Sequence, residues 1–242
     1  MSSFYGYSGL GEGSGGSGEG LAGLTVDGRA VQIEDDKIRF QSDVDRFDYL
    51  TVGTRTANST LGLNSVATGT SNTASGNFSS ANGQQTVASQ QCAHAEGNNT
   101  TASGFAAHAE GTSTVASNSQ SHAEGFTTTA SGYTSHAEGY GTTASTDYAH
   151  AEGLRTNAIG YGTHAEGVES EASGRYSHAE NGYTTASAEY AHAEGYHTTA
   201  SGAQSHAEGN NSMASGSSSH GEGRDTEASN EAGHAEGYAT LS

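Results

Sequence analysis

The chain repeats itself every 14 residues. His122 to Ser135 reads His-Ala-Glu-Gly-Phe-Thr-Thr-Thr-Ala-Ser-Gly-Tyr-Thr-Ser, and the unit starts again at His136. Ten further histidines hold the frame: His94, His108, His136, His150, His164, His178, His192, His206, His220 and His234. Two places after each stands a glutamate: Glu96, Glu110, Glu124, Glu138, Glu152, Glu166, Glu180, Glu194, Glu208, Glu222 and Glu236. A fixed period kept over so many copies specifies a solenoid, in which each coil completes its core only against its neighbours.

Composition alone points elsewhere. With 36 glycines, no proline and 31% apolar residues, most of them alanine, the chain has the makeup of a low-complexity segment. The period overrides that reading, because stacked coils satisfy one another's backbone even when side chains are small. A formal charge of −19 excludes nucleic acid and anionic membrane as partners. No apolar run is long enough to span a bilayer, so membrane insertion is not expected. The single cysteine, Cys92, rules out an intrachain disulfide framework and reads as a small, semi-buried coil residue. The opening Met-Ser-Ser-Phe-Tyr lacks the basic start and apolar core of a secretory signal, so export by the ordinary secretory route is not expected.

Three regions follow. Residues 1–23, rich in Gly, Ser and Glu, read as a flexible tail or as a particle-anchoring peptide with Phe4, Tyr5 and Tyr7 as its aromatic anchors. Residues 24–51 form a small β segment suited to attachment. Asp27-Gly28 signals a hairpin turn, and Lys37-Ile-Arg-Phe-Gln and Phe47-Asp-Tyr-Leu-Thr-Val read as further short strands. Such a segment is too small to bury a core alone and is expected to dock or oligomerise. Residues 52–242 carry the repeat, first without histidine, as in Val66-Ala-Thr-Gly and Ser80-Ala-Asn-Gly. Roughly 13 to 14 coils at the ~4.8 Å strand spacing make a rod on the order of 65 Å long.

Side chains alternate across a strand, so parity sorts the columns of one coil. With the histidine at position zero, the preceding residue is small, position one is Ala (once Gly221), position six is Thr or Ser, and position eight is Ala. These four columns share a face and are expected to line a narrow interior, their hydroxyls bonding backbone groups. Two short strands per coil result, Ser-His-Ala-Glu-Gly and Thr-x-Ala-Ser-Gly. Glycines at positions three and ten are expected to supply permissive corners. Asn181, Asn118 and Thr146 are exceptions to that rule. Histidine and glutamate then point outward as two columns. An alanine-lined coil buries too little apolar area to offset its chain entropy alone, so this uniform face calls for a partner surface.

Other chemistries suit the pattern less well. Three histidines around an axis can ligate zinc or nickel, but a dedicated metal site rarely needs every rung. The hydrogen-bonded interface ladder is preferred, and neither a metal nor another cofactor is expected. Ser, His and Glu recur together, yet uniform rungs offer no singular pocket for a nucleophile, and the protein is not expected to be an enzyme. An ice-binding solenoid needs a regular outward threonine column, whereas the regular threonines here point inward. His197 lies at a turn, outside the column, and is expected to be exposed. Phe105, Phe126, Tyr133, Tyr140, Tyr161, Tyr176, Tyr183, Tyr190, Tyr196 and Tyr238 recur at turns. They are expected outside or between chains, covering coil edges or forming a scattered glycan-binding surface.

Asn64-Ser-Val-Ala-Thr-Gly followed by Ala74-Ser-Gly resembles the head repeat of trimeric autotransporter adhesins. With Ser-His-Ala-Glu-Gly it is also similar to repeats in bacteriophage tail and fibre proteins. The resemblance implies an all-β fold, a left-handed parallel β-roll of three chains around one axis. It further implies that the outward histidines and glutamates face neighbouring chains, although the adhesin heads carry an apolar pair there. Each His is then expected to meet a Glu of another chain, a pairing that sets register more than affinity. A neighbouring carboxylate raises an imidazole's pKa and a protonated ring one rung away lowers it, so the net pH slope is left open.

The resulting expectation is a homotrimeric fibre or spike protein of a bacteriophage or phage-like particle, exposed on the virion. Its N-terminus would meet a capsid or tail/baseplate protein, and its shaft would project toward a glycan or protein of the host surface. The alternative is a bacterial trimeric adhesin head, with metal- and ice-binding solenoids behind it. The sequence ends within a coil at Tyr238-Ala-Thr-Leu-Ser, which suggests a removed C-terminal domain or a tip completed by another protein.

Overall fold

A computed structural model describes residues 61–242 in full. Of the preceding part it describes four strands, β1 (Thr25–Val26), β2 (Arg29–Glu34), β3 (Lys37–Phe40) and β4 (Tyr49–Arg55). Phe4, Tyr5, Tyr7 and the Asp27-Gly28 turn lie outside the described residues. The chain divides into two units, residues 1–47 and 48–242. In the first, β1 pairs antiparallel with β2 through Val26 and Arg29, and β2 pairs with β3 from Val31–Phe40 to Glu34–Lys37.

The second unit is the expected parallel β-solenoid, about 12 turns with a 14-residue period. All elements among the described residues are strands. Pairing starts at β4, which runs parallel to β5 (Ser65–Ala74) with an irregularity between Thr54 and Arg55. From there each coil contributes a long strand, such as His122–Phe126, and a short one, such as Thr129–Ala130. Every strand pairs with its counterpart in the next coil, His122 with His136 and Ala130 with Ala144. One rung departs from this pattern. Between His164–Val168 and His178–Gly182 the pairing skips Glu166 and Gly167, opposite the place where Asn181 stands for glycine. No helix among the described residues is long and apolar enough to cross a membrane.

The parity reading of the interior holds. Ala123 and Ala130 are completely buried, as are their equivalents along the rod, with Thr128 and Ser135 beside them. The hydroxyls vary within both columns. Before the histidine, Ser121 and Ser135 donate to the carbonyls of Asn118 and Gly132 at 2.7 and 2.8 Å, whereas Ser177, Ser205 and Ser219 are buried without a partner among the described residues. At position six the expected bonding mostly fails: Thr100, Thr114, Thr128 and Thr142 are buried without a hydroxyl partner among the described residues. There the side chain serves as a packing unit of the right size.

The corners correct the sequence reading. Position three is left-handed, as expected: Gly125 has φ +110°, and a Cβ there would land on the carbonyl oxygen of Gly139. Position ten is not; Gly132 is needed because the carbonyl of Thr146 in the next coil crowds it. The other left-handed residues lie at positions five and twelve and are rarely glycine, for example Thr127 and Thr134, both at φ 54°. A non-glycine residue there costs about 1–2 kcal/mol. Backbone bonds to the preceding coil offset this, from the amide of Thr127 to the carbonyl of Thr112 (2.9 Å) and from Thr134 to Ser119 (3.1 Å). Cys92 sits at such a corner, φ 59°, and is exposed rather than semi-buried.

Candidate interaction surface

Identical coils in strict register place identical side chains above one another, so the histidines form a continuous column on the outer face of the long strands. Their ring centroids stand 4.7–4.8 Å apart from His94 to His206 and 4.9 and 5.0 Å apart from there to His234. The rings are tilted near His94, with 36° between its plane and that of His108, nearly parallel in the middle, at 2° between His178 and His192, and edge-on at the last pair, 82° between His220 and His234. The glutamate column runs beside them. Within a chain, His94 Nε2 lies 3.4 Å from Glu96, His122 3.7 Å from Glu124 and His178 3.9 Å from Glu180. Most of these separations exceed a hydrogen bond. The Nε2 atoms of His108 and of every later ring through His220 are buried without a hydrogen-bond partner among the described residues.

The electrostatic outcome goes against the carboxylates. His136 is lowered from 6.5 to about 4, first by burial and then by the flanking rings of His122 and His150. His122, His150, His164 and His178 are lowered for the same first reason, then by a neighbouring histidine, with the glutamates pulling weakly the other way. Within a single chain, burial and the neighbouring rings therefore outweigh the adjacent carboxylates in these five rings. Desolvation of a half-buried column outweighs Coulomb attraction across 3.6–3.9 Å at a solvent-facing edge.

Three places bring possible metal-ligand atoms within 4.8 Å of one another: His192, Glu194 and His206; His206, Glu208 and His220; and Glu166, His178 and Glu180. His206 belongs to two of them, lying 3.6 Å from Glu194 and 3.8 Å from Glu208. These are the same side chains as the ladder.

The turn aromatics are exposed and fall into order rather than scatter. On the corner after the long strand, Phe126 stacks on Tyr140 with centroids 5.0 Å apart, and His197 stacks on Tyr183 at 4.8 Å. At the corner before the histidine, Tyr133, Tyr148, Tyr161, Tyr176 and Tyr190 make an unbroken series with centroids 5.4–5.8 Å apart. Sequence reading overlooked Tyr148. Its signal was there: it occupies position twelve, like Tyr176 and Tyr190.

Comparison with known proteins agrees with this geometry. No curated protein matches the chain. A family model, the YadA head domain repeat (2 copies), matches residues 61–89, 95–117, 123–145 and 193–219. These segments span coils with and without the histidine, so the likeness rests on the coil itself. The solenoid is thus built of repeats similar to those in the heads of trimeric autotransporter adhesins.

Proposed function

We propose that this protein is a non-enzymatic, homotrimeric adhesive rod, in which the histidine and glutamate columns of each chain pack against neighbouring chains. One observation carries the reading: the imidazole Nε2 atoms from His108 to His220 form a half-buried, unpaired row, identical at every rung. A row of desolvated nitrogens is costly facing water and suits a face completed by another chain with the same rise. The likeness to adhesin head repeats supports three chains around one axis.

The rod belongs, in this reading, to a bacteriophage or phage-like particle. Its N-terminal region, with Phe4, Tyr5 and Tyr7, attaches to a capsid or tail protein, and its solenoid reaches toward the host surface. The Ser-His-Ala-Glu-Gly unit, similar to repeats of phage fibre proteins, supports this. The second reading, a bacterial surface adhesin head, is supported equally by the YadA-type match.

Light scattering on the purified chain at neutral pH, with and without a chelator, tests the central claim. A mass of three times 24.4 kDa in both conditions is expected. A monomer would overturn the interface, and a trimer that dissociates with chelator would make the clusters around His206 metal sites instead.

A further inference from the structure

The tyrosine corner is more than a by-product of the repeat. Position twelve is left-handed in every coil, and Tyr148, Tyr176 and Tyr190 hold φ of 60°, 57° and 58° there. Bulky residues are outliers in this conformation, and asparagine or glycine would occupy it at lower cost. The same position just outside the series is Gln120 on one side and Gln204 on the other, so the coil does not require an aromatic. The left-handed turn belongs to the repeat as a whole, so what sets these coils apart is the tyrosine at the corner, present in five consecutive coils from Tyr133 to Tyr190.

The rings do not gain burial in compensation. From Tyr133 to Tyr190 they remain 39–54% exposed, contacting one another edge-on or stacked. Arg175 braces the series, its guanidinium 5.3 Å from the Tyr161 ring centre and 4.8 Å from that of Tyr176, and it donates to the Tyr176 hydroxyl at 3.2 Å. The result is a ribbon on the order of 20 Å long at ~4.8 Å per coil, offering aromatic surface and a phenol at each step.

We infer that this ribbon binds an uncharged linear polysaccharide lying along the rod. The C–H faces of successive sugar rings pack on aromatic surface while their hydroxyls bond to phenols, and a regular polymer matches a surface that repeats coil by coil. A polymer that repeats along its length meets each tyrosine in turn, which a folded protein surface without such a repeat does not. A polyanionic glycan is disfavoured by the chain's −19 charge. The inference rests on the adhesive-rod reading and names the ligand class for that rod.

Affinity electrophoresis of the full chain through gels containing laminarin, galactomannan or dextran tests it, with dextran sulfate as the charged counterpart. Retardation by at least one neutral polymer is expected. Tyr148→Asn and Tyr190→Asn, chosen because asparagine suits the left-handed corner, should each weaken that retardation about tenfold while the light-scattering mass stays unchanged. Binding to none of the neutral polymers, binding to dextran sulfate alone, or retardation unaffected by either substitution would overturn the inference. So would loss of the oligomer in the variants, since the rings would then be contacts between chains. An intact trimer that binds no polymer refutes the ribbon alone, whereas a monomer that binds through these tyrosines refutes only the trimeric rod.

Discussion

The imidazoles of His178 and His192 lie face to face, 4.8 Å apart and 2° from parallel. A proton on one ring is felt directly by the next, and burial already disfavours the charge. At His136 the two effects bring the folded pKa to about 4, against 6.5 in the open chain. Below 6.5 the unfolded chain takes up protons that the folded column refuses, so the unfolded state gains on acidification. Stability is therefore full above pH 6.5 and declines as the pH falls toward about 4. Thermal melting between pH 8 and pH 4.5 should show the midpoint dropping, with a shallower slope in His136→Gln. A flat profile, or a midpoint that rises in acid, would contradict the lowered values.

Two glycines near one corner should respond oppositely. Gly125→Ala places a methyl group on the carbonyl oxygen of Gly139 at φ +110°, where nothing but backbone can yield. A loss of at least about 3 kcal/mol is expected from strain and a displaced strand. Gly141, at φ +66°, has Arg155 Cγ as the nearest neighbour of an added Cβ, at 3.5 Å. Gly141→Asn should leave stability within about 0.5 kcal/mol or raise it slightly. Denaturant midpoints of the two variants decide this.

Asn72 stands at position six of an early coil, where later coils carry Thr or Ser. It is 1% exposed. Its amide donates to the carbonyl of Gly83 at 2.8 Å, and its Oδ1 accepts the backbone N–H of Thr86 at 3.0 Å. Asn72→Ala leaves both backbone groups without these bonds, at a cost of about 2 kcal/mol. Loosening should show first as faster hydrogen exchange at Thr86, with coils beyond His150 unaffected.

Asn181 interrupts the ladder. Replacing it with the glycine that most other coils carry at this place should restore pairing between Gly167 and residue 181. Amide exchange across Glu180–Gly182 should slow in Asn181→Gly. Unchanged exchange would mean that the skipped pairing has another cause.

Period and parity made the architecture legible in advance. His122 and His136 at fixed spacing, with Ala123 and Ala130 on the opposite parity, define the coil, its strands and its inside without further information. The corners were less legible because glycine was taken as the mark of a left-handed residue. Here the close stacking of backbones, not φ alone, places Gly132, while Thr127 and Thr134 take the left-handed turns under backbone hydrogen bonds invisible in a sequence. The titration of the column stayed open for a related reason. Spacing reveals that Glu138 is near His136, but only geometry reveals that the ring is half withdrawn from water and flanked by two others. The tyrosine series was visible as aromatic content, yet its continuity depends on positions eleven and twelve meeting at one corner.

Strict register has one further consequence. When His122 lies over His136 and Ala130 over Ala144, the ladder is nearly invariant to a shift by one coil. A coil looped out during folding lets its neighbours close up and remake all their backbone bonds, one rung short. Uniform rungs cannot tell the correct arrangement from this shortened one. Asn72, with its paired carbonyl and amide, and Asn181, with its broken pairing, are distinguishable from the rungs around them. Such residues act as graduation marks on an otherwise blank ruler, fixing how many coils lie between them.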